Sequence, residues 1–153
     1  MINNDVLRSI RYILNISDAQ LTEIASLGGA TMSEADIVPM LKKDDEDGFV
    51  HCDDDLMAAF LDGLVYFKRG KDDSRPTPAN TLPMSNNIVL KKLRVAFELK
   101  EDDMHDIMHS VDFAVSKPEM SALFRKYGHS NYRECGDQFL RNFLKGLTLR
   151  VRG

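Results

Sequence analysis

The sequence predicts an all-α protein made of two tandem copies of a four-helix unit. Three observations lead to this prediction: a gapless internal repeat, apolar residues at helical spacing in both copies, and no stretch of period-two alternation long enough for a strand. A chain of 153 residues is long enough for two small domains of this kind.

The repeat has an offset of 83 residues, and 16 of 68 aligned positions are identical. Asn3-Asn4 returns as Asn86-Asn87, and the register holds without a gap to the end of the chain. Duplication is the economical explanation. We therefore divide the chain into repeat 1 (1–70), a linker (71–85) that contains three prolines, and repeat 2 (86–153).

The first two helices of each repeat are marked by polar residues at their ends. Asn4 and Asn87 precede an apolar stripe with helical spacing, and we expect them to be N-caps, because asparagine accepts backbone N–H groups there. Helix two is expected to begin after Ser17. In repeat 1 it should end at Gly28-Gly29.

The third and fourth helices follow from similar signals. Ser33 and Ser116 each precede an acidic residue three positions on, which is the pattern of a capping box. Pro39 should bend or break helix three of repeat 1. Gly63 and Gly146 lie within helix four, where glycine costs about 1 kcal/mol, so we expect each to allow a close helix–helix contact.

The composition is that of a soluble globular protein, with 43% hydrophobic and 29% charged residues. No apolar run approaches the ~20 residues of a membrane helix, and the N-terminus lacks a signal-peptide core. We therefore expect a cytoplasmic protein that does not bind membranes. The net charge of -4 is unevenly distributed, with -7 in repeat 1 and +3 in repeat 2.

The basic residues of repeat 2 are the first candidates for a binding surface. They are Arg125, Lys126, Arg133, Arg141 and Lys145. Tyr127 and Tyr132 lie among them and could stack on bases, while the cations could neutralise phosphates. A charge of +3 is low for a nucleic-acid-binding domain, so we prefer a protein partner and keep nucleic acid as the alternative.

Arg11 of repeat 1 and Arg94 of repeat 2 occupy equivalent positions, beside the apolar stripe of helix one. Asp54 and Asp137 are the only acidic pair that is identical in both copies. A charge beside an apolar stripe needs a partner, so we predict the pairs Arg11–Asp54 and Arg94–Asp137. We favour a structural role for both pairs over a ligand site.

Other reactive residues do not combine into a catalytic pattern. His105 and His109 share a helix face, but repeat 1 has no histidine there, so a charged surface is preferred to a metal site. Cys52 and Cys135 are repeated without a shared histidine and are interpreted as packing residues. The acidic run 44–47 lacks the spacing of a calcium loop. We predict no metal, no cofactor and no enzymatic activity.

Each repeat begins with Asn-Asn-x-Val-Leu and carries Phe-Leu-x-Gly-Leu near its end. Together with the stretch 121–147 of repeat 2, these motifs resemble the YehS-like family of bacterial proteins, over essentially the whole chain. The resemblance implies a tandem domain of unknown function in a short cytosolic protein. It implies no activity, substrate or catalytic residue.

The functional prediction is a non-enzymatic binding or adaptor protein, because the duplication kept core positions while exposed polar positions diverged. The alternative is a nucleic-acid-binding regulator that uses the basic second repeat.

Overall fold

A computed structural model describes residues 1–70 and 83–153 of the chain. Over these ranges the chain forms eight α-helices and no strand. The predicted class, all-α with two tandem four-helix units, is confirmed. The chain separates into two compact units, unit 1 (Met1–Met84) and unit 2 (Ser85–Gly153). Most of the predicted linker, residues 71–82, lies outside the described residues.

The helices of the two units correspond one to one. Unit 1 contains α1 (Asn3–Leu14), α2 (Asp18–Leu27), α3 (Glu34–Met40) and α4 (Asp54–Arg69). Unit 2 contains α5 (Asn86–Ala96), α6 (Glu101–His109), α7 (Lys117–Leu123) and α8 (Asp137–Arg152). Each helix of unit 2 begins 83 residues after its counterpart, which is the offset of the sequence repeat. In both units the fourth helix packs against the first and the second.

An apolar core fills each unit. Phe60 in α4 and Phe143 in α8 are the largest fully buried side chains. The stripe of α1 is buried at Leu7, Ile10 and Ile13. Each fully buried side chain of this size contributes about 1.5–3 kcal/mol to folding, so the helical periodicity of the sequence and the packing of the units have the same cause.

The serine caps form as predicted. Ser17, Ser33 and Ser116 each accept a hydrogen bond from the backbone N–H three residues on. Helix α2 ends before Gly28, as expected. Pro39 is accommodated in the last turn of α3, which ends one residue later. The helix break predicted at Pro39 therefore coincides with the end of α3.

The predicted caps at Asn4 and Asn87 are wrong. Helices α1 and α5 begin two residues earlier than predicted, and the N-cap positions belong to Ile2 and Ser85. Both asparagines lie inside the first turn, and their side chains are buried. A buried amide must satisfy its hydrogen bonds within the protein, and these two do so with distant backbone groups.

Both predicted glycine contacts are present in the fourth helices. A Cβ on Gly63 would lie 1.7 Å from the carbonyl oxygen of Ile24, and one on Gly146 would lie 2.5 Å from that of Ile107. Both distances are too short for any side chain. The absence of a Cβ therefore allows α2 and α6 to cross the fourth helices closely.

Candidate functional site

A long loop joins the third and fourth helices of each unit, and one asparagine holds both of its ends in unit 2. The Asn87 amide nitrogen donates to the carbonyl oxygens of Leu123 and Arg133, both at 2.9 Å. Its oxygen accepts the backbone N–H of Cys135 at 2.8 Å. We call these three bonds the asparagine clamp. They connect the first turn of α5 to the last residue of α7 and to two residues of the loop, which lie 36, 46 and 48 residues along the chain.

Unit 1 contains the same clamp. The Asn4 amide donates to the carbonyl oxygens of Met40 and Val50, both at 2.9 Å, and accepts the N–H of Cys52 at 3.0 Å. Both donors of the amide and its acceptor are used, which only an asparagine or glutamine side chain allows. The clamp uses backbone groups of the loop and leaves its side chains free to differ.

The neighbouring asparagine adds a second connection. The Asn3 amide donates to the carbonyl oxygen of Cys52 at 2.9 Å and to the Asp54 carboxylate at 3.0 Å. Asn86 makes the equivalent two bonds, at 3.0 Å and at 2.8 Å to Asp137. Asp54 and Asp137 begin the fourth helices, and each accepts a hydrogen bond from the asparagine that begins the first helix of its unit.

The predicted pair Arg11–Asp54 is wrong. The Arg11 Nε atom lies 3.0 Å from a carboxylate oxygen of Asp18, at the start of α2. The Arg11 side chain is 44% exposed, so it did not need the buried partner that the sequence argument assumed. The partner is Asp18, in the first turn of the next helix.

The predicted pair Arg94–Asp137 is wrong as well. Arg94 donates from Nε to the carbonyl oxygen of Leu99 at 3.0 Å. Its guanidinium lies 4.6 Å from the ring centre of Phe124, a distance suited to a cation–π contact. The two repeated arginines therefore have different partners, and they do not define a repeated ligand site.

A groove of about 780 Å³ opens on unit 2 between α7 and the clamped loop. Three cations line it: Lys117 from α7, and Arg125 and Arg133 from the loop. The lining also contains one carboxylate, Glu119, which accepts the Ser116 N–H at 3.4 Å. The neutral polar lining residues are Ser121, Ser130, Asn131 and Tyr132. We call this surface the basic groove. Hydroxyl, amide and cationic groups in one concave surface suit an anionic ligand.

An aromatic pair borders the basic groove. The rings of Tyr127 and Tyr132 meet edge to face with centres 5.5 Å apart. Tyr127 is 64% exposed. Partial burial, and then the nearby Glu134 carboxylate, raises the pKa of Tyr132, so its hydroxyl is protonated at neutral pH and can donate a hydrogen bond.

The structure brings together only part of the predicted basic set. Arg125 and Arg133 line the groove. Lys126, Arg141 and Lys145 are exposed and lie outside its lining. Sequence reasoning missed Lys117, which begins α7 and lines the groove with Arg125 and Arg133.

The corresponding surface of unit 1 has a different chemistry. The positions that match the three cations carry Glu34, Lys42 and Val50. The Lys42 ammonium donates to the carbonyl oxygen of Asp47 at 2.7 Å, so it is occupied within its own loop. Val38 and Val50 are each 46% exposed. The third helix and the clamped loop therefore present valines and carboxylates in unit 1, and cations and hydroxyls in unit 2.

The two repeated cysteines are buried behind the clamp. Burial, reinforced by the carboxylates of Asp53 and Asp54, raises the pKa of Cys52 to about 12. Burial and then Asp137 raise the pKa of Cys135 to about 12. Both thiols are therefore protonated at neutral pH, which is the opposite of an activated nucleophile.

The acidic residues of unit 1 have local structural roles. Asp53 caps α4 by accepting the N–H of Leu56 at 2.8 Å. Glu46 accepts the N–H of Lys43 at 3.1 Å within the loop. In residues 1–70 and 83–153, no three His, Cys, Asp or Glu side chains are grouped so that they could hold a metal ion.

The chain matches known proteins along nearly its whole length. A family described as "Protein of unknown function (DUF1456)" matches it twice, at residues 3–70 and 86–153. The chain is 49% identical over 150 residues to a protein of Escherichia coli (strain K12) named "Uncharacterized protein YehS", a match that covers 98% of this chain and 96% of that protein. No solved structure matches it. Of the helices described, none has both the length and the apolar character needed to cross a membrane.

Proposed function

The chain belongs to the DUF1456 family of proteins of unknown function, and we propose that it is a non-enzymatic binding or adaptor protein of the cytoplasm. Its partner in this proposal is another protein. The proposal is carried by one observation, the contrast between the two clamped loop surfaces: the same backbone arrangement presents opposite surface chemistry in the two units.

A duplicated loop with different side chains suits a protein that recognises two different sites. Because the clamp binds only backbone atoms of the loop, the exposed side chains can diverge without loss of the fold. Two linked modules also gain affinity, since the second contact forms within an existing complex. The valine-bearing surface of unit 1 and the basic groove of unit 2 would then bind different parts of one partner, or two partners.

The state of the repeated cysteines supports a role without catalysis. Cys52 and Cys135, the two cysteines of the chain, occupy equivalent positions in the repeats. Both are buried, with pKa values raised to about 12. Preserving them for packing requires no chemistry from the thiol.

Affinity capture from a bacterial lysate, with surface-exchange variants, tests the proposal. Val38→Ser with Val50→Arg gives unit 1 the residues found at the equivalent positions of unit 2. Lys117→Glu with Arg133→Val gives unit 2 the residues found at positions 34 and 50 of unit 1. We expect each double variant to lose a different captured protein or contact. Lys126→Gln is the control for a charge change outside the groove. Identical capture by all variants would contradict the proposal.

Nucleic-acid binding by unit 2 is the second candidate, and the exposed Tyr127–Tyr132 pair beside the cations favours it, because aromatic rings stack on unpaired bases. A salt series with a single-stranded oligonucleotide tests it. A phosphate-driven complex must weaken steeply as salt rises. The second candidate fails if Tyr127→Ala leaves oligonucleotide binding unchanged.

A further inference from the structure

We infer that the basic groove of unit 2 binds an extended acidic segment of a partner protein, held by Lys117, Arg125 and Arg133. This inference rests on the proposed function and names the chemistry of one partner. It follows from the availability of the three cations, from their fixed positions, and from a comparison with unit 1.

The three cations of the groove are available to a ligand. Their side chains are exposed, and none makes a hydrogen bond or ion pair with another side chain in the part of the chain that the structure describes. Other arginines of the protein are engaged: the guanidinium of Arg150 lies 2.7 Å from Asp103. The groove therefore collects cations that the fold itself does not use.

The clamp fixes the wall that carries two of these cations. The Arg133 N–H donates to the carbonyl oxygen of Ala122 at 3.1 Å, and the Arg133 carbonyl accepts from Asn87 at 2.9 Å. The loop is thus fastened on both sides of the groove before any ligand arrives. Binding does not have to order this backbone, which lowers its entropic cost.

Unit 1 shows what the same surface looks like without this function. The residue equivalent to Arg125 is Lys42, and its ammonium is bound by its own loop at Asp47. The residue equivalent to Lys117 is Glu34, which would repel an acidic segment. The anionic preference is therefore specific to unit 2 and does not follow from the fold.

The charge of repeat 2 favours an acidic peptide over nucleic acid. Repeat 2 carries only +3, which is low for a domain that binds nucleic acid. A volume of about 780 Å³ suits a few residues of an extended peptide. Arginine binds carboxylates in a bidentate manner, while Ser121 and Asn131 offer polar groups to the peptide backbone.

Fluorescence anisotropy with a labelled octapeptide of alternating Asp and Glu tests the inference on the full-length chain at low salt. The groove variant combines Lys117→Gln, Arg125→Gln and Arg133→Gln. The matched control combines Lys126→Gln, Arg141→Gln and Lys145→Gln, which removes the same charge from exposed positions outside the groove. An oligothymidylate of equal length is the second probe. Far-UV circular dichroism verifies that both variants are folded.

We expect the groove variant to weaken peptide binding about tenfold or more, since three modest charge contacts are lost together. The control should change it by less than about twofold, because separated surface charges are screened. Equal weakening by both variants, no peptide binding by the wild type, or tighter binding of oligothymidylate would each overturn the inference. The proposed function fails separately, when the surface-exchange variants capture the same proteins as the wild type.

Discussion

Replacing Gly63 with alanine tests the close approach of α2 and α4. An alanine Cβ would lie 1.7 Å from the carbonyl oxygen of Ile24 and 2.7 Å from its carbonyl carbon. Ordinary contact begins at 3.4 Å, so the two helices must separate by about 1.7 Å. Both obstructing atoms belong to the backbone, and no side-chain rotation relieves the clash.

The magnitude follows from two opposing effects. Overpacking of this kind costs about 1–3 kcal/mol and occasionally more, and the backbone contact places Gly63 at the upper end. Alanine regains about 1 kcal/mol of helix propensity. We expect a net loss of about 2 kcal/mol in the free energy of unfolding, which lowers the melting temperature by about 8–16 °C for a unit of this size.

The matched control is Gly146→Ala in α8. There the Cβ would meet the Ile107 carbonyl oxygen at 2.5 Å and the Ile107 Cγ2 methyl at 2.7 Å, so the required shift from the 3.4 Å of ordinary contact is about 0.9 Å, roughly half that at Gly63. We expect a loss of about 1 kcal/mol. Urea and thermal unfolding followed by circular dichroism measure both. A raised melting temperature for Gly63→Ala, or equal losses in both variants, would refute the reasoning.

Three further predictions concern the clamp, a cap and the thiols. Asn4→Ala should lower the free energy of unfolding by about 3 kcal/mol, because three backbone groups lose their hydrogen-bond partner. Asn4→Asp should also destabilise the protein, since a carboxylate has no proton to donate. A neutral effect of either change would contradict the clamp. Gly136→Asp should raise stability by a few tenths of a kcal/mol, because Asp53 caps the equivalent helix and Gly136 has no side chain to do so; an unchanged or lower urea midpoint would count against it. The thiols of Cys52 and Cys135 have pKa values raised from 9.0 to about 12. Their protonated forms therefore stabilise the folded state fully below pH 9, and this stabilisation is lost as pH rises toward 12. A double Cys→Ala variant should therefore show a weaker alkaline loss of stability, and an unaltered pH profile would contradict the burial argument.

The helices and the repeat were predictable because their signals are local. Apolar spacing, serine caps and the glycine of α4 act within one helix or between adjacent ones, and the duplication doubled each signal. The resemblance to the YehS-like family is confirmed by the family match to both repeats and by the 49% identity to YehS.

The clamp was not predicted because its partners lie far apart in the chain. Asparagine before an apolar stripe has a familiar local role as a cap, and nothing near Asn4 shows that Cys52 is its partner. A signal was present nonetheless: Asn3, Asn4, Cys52 and Asp54 are all identical in the second repeat. Their joint identity reflects one hydrogen-bonded cluster, whereas the sequence argument paired the aspartate with an arginine.

The groove was half predicted for a related reason. Charge alone selected Arg125 and Arg133 together with Lys126, Arg141 and Lys145, and it could not separate the first two from the others. Only the structure shows that Lys117, at the start of α7, lines the same groove as these two arginines.

The asparagine clamp also has a consequence for the covalent continuity of the chain. In unit 2, Leu123 and Arg133 are anchored to the same side chain, so a peptide bond cut between them leaves both new ends attached. We expect a protein nicked in this loop to stay folded. The loop is accordingly a suitable place to open the chain for circular permutation, with the new termini beside the basic groove.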